Sequence, residues 1–239
     1  MHIIIRFNDN IVHNYFSFEE IVKLDNYNEI IYINSSGNSL SSLPELPHSL
    51  IHLHCGYNNL SSLPKLPNSL IQLHCESNNL SSFPELPNSL KNLWCNNNNF
   101  YGLSKLPNSL KILHCGYNKI SNLPELPNLL KCLSCDNNVL SSLPKIPNSL
   151  KYLHCGDNSL SNLPELPNSL INFNYNNNPI YTYIKIYFDG NIKIYTEYHN
   201  NIKRKFVNKI ENWFLDCKYN PKYLYCRNRL MNEYNELYN

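Results

Sequence analysis

The chain has 239 residues, a formal net charge of +2 and 42% hydrophobic residues. That net charge gives no case for nucleic acid by itself. No apolar run approaches the roughly 20 residues of a membrane span, and Met1 to Phe7 lacks the basic start of a secretory leader, so a non-secreted, cytoplasmic protein without membrane contact is expected.

At the N-terminus, Ile3–Phe7 and Ile11–Phe16 are predicted to be two short strands around Asn8-Asp9-Asn10. Ser17-Phe18-Glu19-Glu20 is a capping box that predicts a short helix to about Asp25. Residues 1–29 are therefore expected to form an N-terminal cap.

From Ile30 a period of twenty takes over. The pattern L-x-x-L-x-C-x-x-N-x-L starts at Ile30, Leu50, Leu70, Leu90, Leu110, Leu130, Leu150 and Leu170, giving eight units over residues 30–180. Asparagine holds the ninth position each time: Asn38, Asn58, Asn78, Asn98, Asn118, Asn138, Asn158 and Asn178. One unit buries apolar side chains such as Leu50, Leu53, Cys55, Leu60, Leu63 and Leu66, worth about 1.5–3 kcal/mol each. Ordering twenty residues costs roughly 20–40 kcal/mol of backbone entropy, so a lone unit should not fold and the units must stack.

Positions three to six are predicted to be strand, with Leu53 and Cys55 inward and His52 and His54 outward. The ninth-position Asn is expected to bond backbone groups of an adjacent coil, because a buried amide must be satisfied. Paired prolines, as in Leu43-Pro44-Glu45-Leu46-Pro47, predict extended polyproline-like backbone on the other side. The residue between them alternates in sign through Glu45, Lys65, Glu85, Lys105, Glu125, Lys145 and Glu165, which predicts a ladder of opposite charges.

This pattern resembles the leucine-rich-repeat family, in which the sixth position holds Leu or Cys. The Leu-Pro-x-Leu-Pro half resembles the short bacterial-effector subtype, and the composition and tail resemble leucine-rich-repeat proteins of giant amoeba viruses. The resemblance implies a solenoid of the α/β horseshoe class. It has a parallel sheet on the concave face, an extended convex face, a hairpin and short helix as N-terminal cap, and a hairpin with two helices as C-terminal cap.

Residues 181–239 are expected to form that second cap. Tyr183–Tyr195 alternates around Asp189-Gly190, a hairpin signal. From Asn201 the spacing turns helical, with Ile202, Phe206, Ile210, Trp213, Phe214 and Cys217 on one face. After Asn220-Pro221 a second helix aligns Tyr223, Cys226, Leu230, Tyr234 and Leu237. Residues 200–239 carry eight Lys/Arg against four Asp/Glu, read as solvated helix surface.

Functional positions in such a fold are the outward strand residues. Row three reads His52, Gln72, Asn92, Ile112, Cys132, Tyr152 and Asn172; row five reads His54, His74, Trp94, His114, Ser134, His154 and Asn174. Trp94, Ile112, Cys132 and Tyr152 are expected to form an exposed apolar patch beside His54, His74, His114 and His154, a set suited to holding a partner protein. His54 and His74, with His52 and Glu76 near, have ligand chemistry, but nothing fixes a tetrahedral set, so no metal or cofactor is expected. The Cys column (Cys55 to Cys155) reads as core filling. The nine cysteines are odd in number and six recur in phase, which fits reduced thiols rather than a disulfide framework. Lys91, Lys111, Lys131 and Lys151 read as a solvated basic edge.

Catalysis finds no support. Effectors of the resembled subtype can carry a ubiquitin-ligase domain, but about sixty residues are too few for it and Leu215-Asp216-Cys217 lacks its Cys-x-Asp order. The sequence thus points to a protein–protein interaction module with an unidentified protein partner, a host protein if the viral resemblance holds, and not to a small-molecule substrate. Two alternatives stay open: a substrate-recruiting adaptor of a ubiquitin ligase, and an architectural repeat protein without a specific partner.

Overall fold

The computed structural model describes residues 2–9, 11–202, 204 and 207. The chain divides into two compact units, Met1–Tyr183 and Ile184–Asn239. In the first unit, β1 (Ile3–Arg6), β2 (Val12–Tyr15) and α1 (Phe18–Ile21) precede eight three-residue strands. These are β3 (Tyr32–Asn34), β4 (His52–His54), β5 (Gln72–His74), β6 (Asn92–Trp94), β7 (Ile112–His114), β8 (Cys132–Ser134), β9 (Tyr152–His154) and β10 (Asn172–Asn174). The last helix of known bounds is α2 (Pro179–Tyr187).

All ten strands form one sheet, ordered β10-β9-β8-β7-β6-β5-β4-β3-β1-β2. Strands β3 to β10 pair in parallel, each shifted by one twenty-residue unit, so that Ile33, Leu53, Leu73, Leu93, Leu113, Leu133, Leu153 and Phe173 form one column. Ile33 and the leucines of that column are fully buried, and so are Cys55, Cys75, Cys95, Cys115, Cys135 and Cys155. Alternation along each strand leaves positions three and five outward. The fold is the leucine-rich-repeat solenoid that the period implied.

The Asn column ties each coil to the one before. Asn98 Oδ1 accepts from Leu80 N at 2.9 Å, and Nδ2 donates to Cys75 O, Cys95 O and Asn96 O at 3.0, 3.2 and 3.3 Å. The same set recurs at Asn58, Asn78, Asn138 and Asn178. The residue ahead of each ladder Asn takes positive φ: Gly37, Tyr57, Ser77, Asn97, Tyr117, Asn137, Asp157 and Asn177, all between 51° and 70°. Such backbone costs a non-glycine residue about 1 kcal/mol, and it turns the chain so that the next amide faces inward.

Four expectations need correction. Helix α1 ends at Ile21, not near Asp25, although Ser17 Oγ does accept from Glu20 N at 3.3 Å. Strands β1 and β2 do more than cap, because β1 pairs antiparallel with β3 and extends the sheet. The alternating Glu45–Glu165 column is exposed, and among the described residues none of its members pairs within 4.0 Å, so it is a solvated column rather than a contact ladder.

The hairpin expected over Tyr183–Tyr195 is helical instead, with α2 followed by helix from residue 192 to at least 202. Asp189 and Gly190 do turn, at φ 50° and 71°, but between helices. Pro179 sits at the first helical position, where its missing N–H costs nothing. Asn191 Oδ1 accepts from Lys193 N and Ile194 N at 3.1 and 3.2 Å, capping the next helix. Those two start signals outweigh the β propensity of the Tyr/Ile run. In the first unit, Ile180 is buried and its N–H meets Leu160 O at 2.9 Å, closing the last coil. The helical face expected beyond Ile202, and the helix after Pro221, lie outside the described residues. Among the described residues no helix is long and apolar enough to cross a membrane.

Candidate binding face

Strand alternation aims two rows from every coil at the same outward side, and register brings residues twenty apart together. Row five stacks as rings. His54 and His74 lie 4.2 Å apart between centroids, His74 and Trp94 stack at 3.9 Å with a 16° interplanar angle, and Trp94 and His114 stack at 5.8 Å and 21°. The ladder continues past the expected set: Tyr32 meets His54 edge-on at 5.2 Å, and the Arg6 guanidinium lies 4.0 Å over the Tyr32 ring. Reading the rows from coil two missed Tyr32, which its spacing from Ile30 would have placed in row three. Arg6 had no such signal, since only the pairing of β1 with β3 brings it there.

Row three adds two directed hydrogen bonds that lead to a carboxylate. His52 Nδ1 is 2.9 Å from Gln72 Oε1, Gln72 Nε2 is 2.7 Å from His74 Nε2, and His74 Nδ1 is 3.7 Å from Glu76 Oε2. The amide nitrogen of Gln72 can only donate, so His74 Nε2 accepts and its proton sits on Nδ1, facing the carboxylate. Glu76 Oε2 is buried and has no hydrogen-bond partner, the 3.7 Å approach of His74 Nδ1 being too long for one. Gly56 makes room for it, since a Cβ there would lie 2.8 Å from Glu76 Oε1.

Burial, and secondarily the neighbouring His74, push the His54 imidazole down to about 4, so it is neutral near pH 7. His114 is also shifted down, mainly by burial. Burial pulls Glu76 upward, but the His74 ring and its own backbone amide outweigh that and hold it below the usual carboxylate range.

Register places Ile112, Cys132 and Tyr152 side by side in row three, with Trp94, His114, Ser134 and His154 side by side in row five. The apolar patch is less exposed than expected. Trp94, Ile112 and Cys132 are half-buried by their neighbours, and only Tyr152, 43% exposed, stands clear. Trp94 is the middle of a stack, not a protruding anchor. Cys132 Sγ is 3.8 Å from His114 Nε2, and burial raises the thiol, so no thiolate forms there near neutral pH. Among the described residues no group of three metal-ligating side chains comes together. At the N-terminal end of the face, Arg6, Ile31, Tyr32, His52, His54 and Gln72 line a hollow of about 330 Å³.

No protein-family profile matches the chain, and no curated protein matches it. Solved structures do. The chain is similar to YopM from Yersinia enterocolitica WA-314, at 34% identity and TM-score 0.50, over 57% of this chain and 35% of that one. It is similar to YopM, a leucine-rich effector protein from Yersinia pestis, at 35% identity and TM-score 0.52, over 61% and 48%. It is similar to a Shigella effector leucine-rich-repeat domain at 38% identity and TM-score 0.52, over 55% and 60%. The chain thus spans between 35% and 60% of the length of these proteins.

Proposed function

We propose that the chain is a protein–protein interaction module that holds a partner protein against the outward sheet face, with Trp94, Ile112, Cys132, Tyr152, His54, His74, His114 and His154 in contact. The observation that carries this reading is the ring ladder. Rings already packed against one another from Tyr32 to His114 have little rotamer freedom left to lose on binding. The similarity to effector leucine-rich-repeat proteins supports a binding role and not a particular partner. In this reading residues 30–180 are the binding body, 1–29 and 181–239 are its caps, and no residue is catalytic. Six buried, free thiols suit the reducing cytoplasm.

In its finer form the proposal makes the chain a viral protein that engages a host protein, which rests on the resemblance of its composition and tail. The test places a photo-crosslinking residue at Tyr152, at His74 or at Glu85 on the back, in the native cell. Adducts to one partner from the first two positions and none from Glu85 are expected. Equal adducts from all three, or none, would sink the assignment of this face.

A further inference from the structure

The second position of each coil forms a column of its own along the rim of the sheet. It reads Ile31, Ile51, Ile71, Lys91, Lys111, Lys131, Lys151 and Ile171, joined by backbone hydrogen bonds. Lys111 N donates to Lys91 O at 2.7 Å, and Lys131 N to Lys111 O and Lys151 N to Lys131 O at 2.8 Å each. That ladder sets the four lysines one strand spacing apart, about 4.8 Å, well inside the screening length of about 8–10 Å. Among the described residues no carboxylate lies within 4.0 Å of any of them. Isoleucine serves the same position in the other coils, so the fold itself does not call for a cation here. On the back of the solenoid, stacked charges alternate in sign. On the rim they do not, and stacked like charges repel.

A second departure from the repeat falls among these lysines. Ser69, Ser89, Ser109, Ser149 and Ser169, each the last residue of its unit, donate a hydroxyl to the first-position carbonyl of the same unit: Leu50, Leu70, Leu90, Leu130 and Leu150. Leu129 occupies the same position ahead of coil six. There the hydroxyl bond to Leu110 O is given up, and a leucine is left 53% exposed, two residues from Lys131 and one coil on from the chain stretch that carries Lys111.

We propose that this rim docks an extended acidic segment of a partner protein, its carboxylates lying along Lys91, Lys111, Lys131 and Lys151 and an apolar side chain resting on Leu129. Three intervals of about 4.8 Å span about 14 Å, and an extended peptide advances about 3.4 Å per residue. Acidic residues at its first, third and fifth positions therefore cover the column. A peptide fits better than a phosphate polymer because the centre of the rim is an aliphatic side chain, and the rim holds no guanidinium fork to grip phosphate. The site is separate from the ring ladder, so the two readings stand or fall apart.

The test measures fluorescence anisotropy of a labelled Glu-Leu-Glu-Leu-Glu peptide against its Gln-Leu-Gln-Leu-Gln counterpart, on the full chain. The acidic peptide should bind at least tenfold tighter, and more weakly as salt rises. The double variant Lys111→Glu/Lys151→Glu recreates the alternation of the back; it should lose at least tenfold in affinity with its melting midpoint unchanged or raised. Leu129→Ser restores the repeat's hydroxyl and should melt higher while binding a few-fold weaker. Lys91→Gln/Lys131→Gln gives a second reading if the charge reversal does not fold. Equal binding of the two peptides, or full affinity in the lysine variants, overturns the proposal. So does a duplex oligonucleotide or polyphosphate probe that displaces the acidic peptide at a lower concentration than the unlabelled peptide does. A Trp94→Ala variant should bind the peptide normally, which keeps this outcome apart from that of the sheet face.

Discussion

The ninth-position column and the outward strand rows belong to the same eight coils, yet they obey opposite rules. Inside, one residue type repeats without exception, because from Asn58 to Asn178 every amide meets the same backbone positions, and Asn38 bonds His2 and Ser36 backbone in their place. Outside, row five passes from His to Trp to His to Ser, because only side chains meet there. The comparison separates what the solenoid needs in order to stand from what it is free to present.

The strongest blow to that contrast is Asn98→Ala. It leaves the buried Leu80 N–H without its acceptor, at about 1–3 kcal/mol, and takes one of two donors from each of Cys75 O, Cys95 O and Asn96 O, so a total loss of about 2–4 kcal/mol in urea unfolding is expected. A loss under about 1 kcal/mol, no more than one ordinary hydrogen bond, would mean that the column is dispensable. Cys95→Ser asks whether the thiol column is mere filling; a hydroxyl in that site should cost about 1–3 kcal/mol. On the outward rows, Trp94→Ala should cost about 1 kcal/mol of stacking while strongly reducing recovery of the partner crosslinked at Tyr152. If stability collapsed instead, the outer rows would be structural after all.

The smallest expected effect is a response to acid. His54 is held neutral down to about 4, while an unfolded histidine takes its proton near 6.5. The unfolded chain therefore binds the proton first, and stability falls as pH drops from about 6.5 through about 4. Glu76, held low, adds loss of the same sign at the acid end. Urea midpoints should decline over that range, and His54→Gln should flatten the decline; an unchanged slope would place its source elsewhere.

The solenoid is legible in the sequence because a repeated pattern reports the same contact many times over. The places of Asn38 to Asn178 and of the Leu53 column follow from spacing alone. The C-terminal helices are misread because the Tyr/Ile run appears once and fits both periods, leaving Pro179 and Asn191 as the deciding residues. At the face, row membership follows from spacing, but the stacking of Trp94 between His74 and His114 does not. Spacing names neighbours without saying whether a ring stands up or lies flat. Arg6 is out of reach for another reason, as it arrives through an antiparallel pairing that no repeat encodes.

The cysteine column has a use that none of its neighbours shares. Burial pushes Cys115 and Cys155 up to about 12 and raises Cys75, Cys95 and Cys135 well above the usual thiol range, so in the closed solenoid these sulfurs react poorly with alkylating reagents. A coil that frays regains an ordinary thiol. Six of the eight turns therefore carry their own chemical timer, and the order in which these evenly spaced sulfurs become labelled would trace the route along which the stack comes undone.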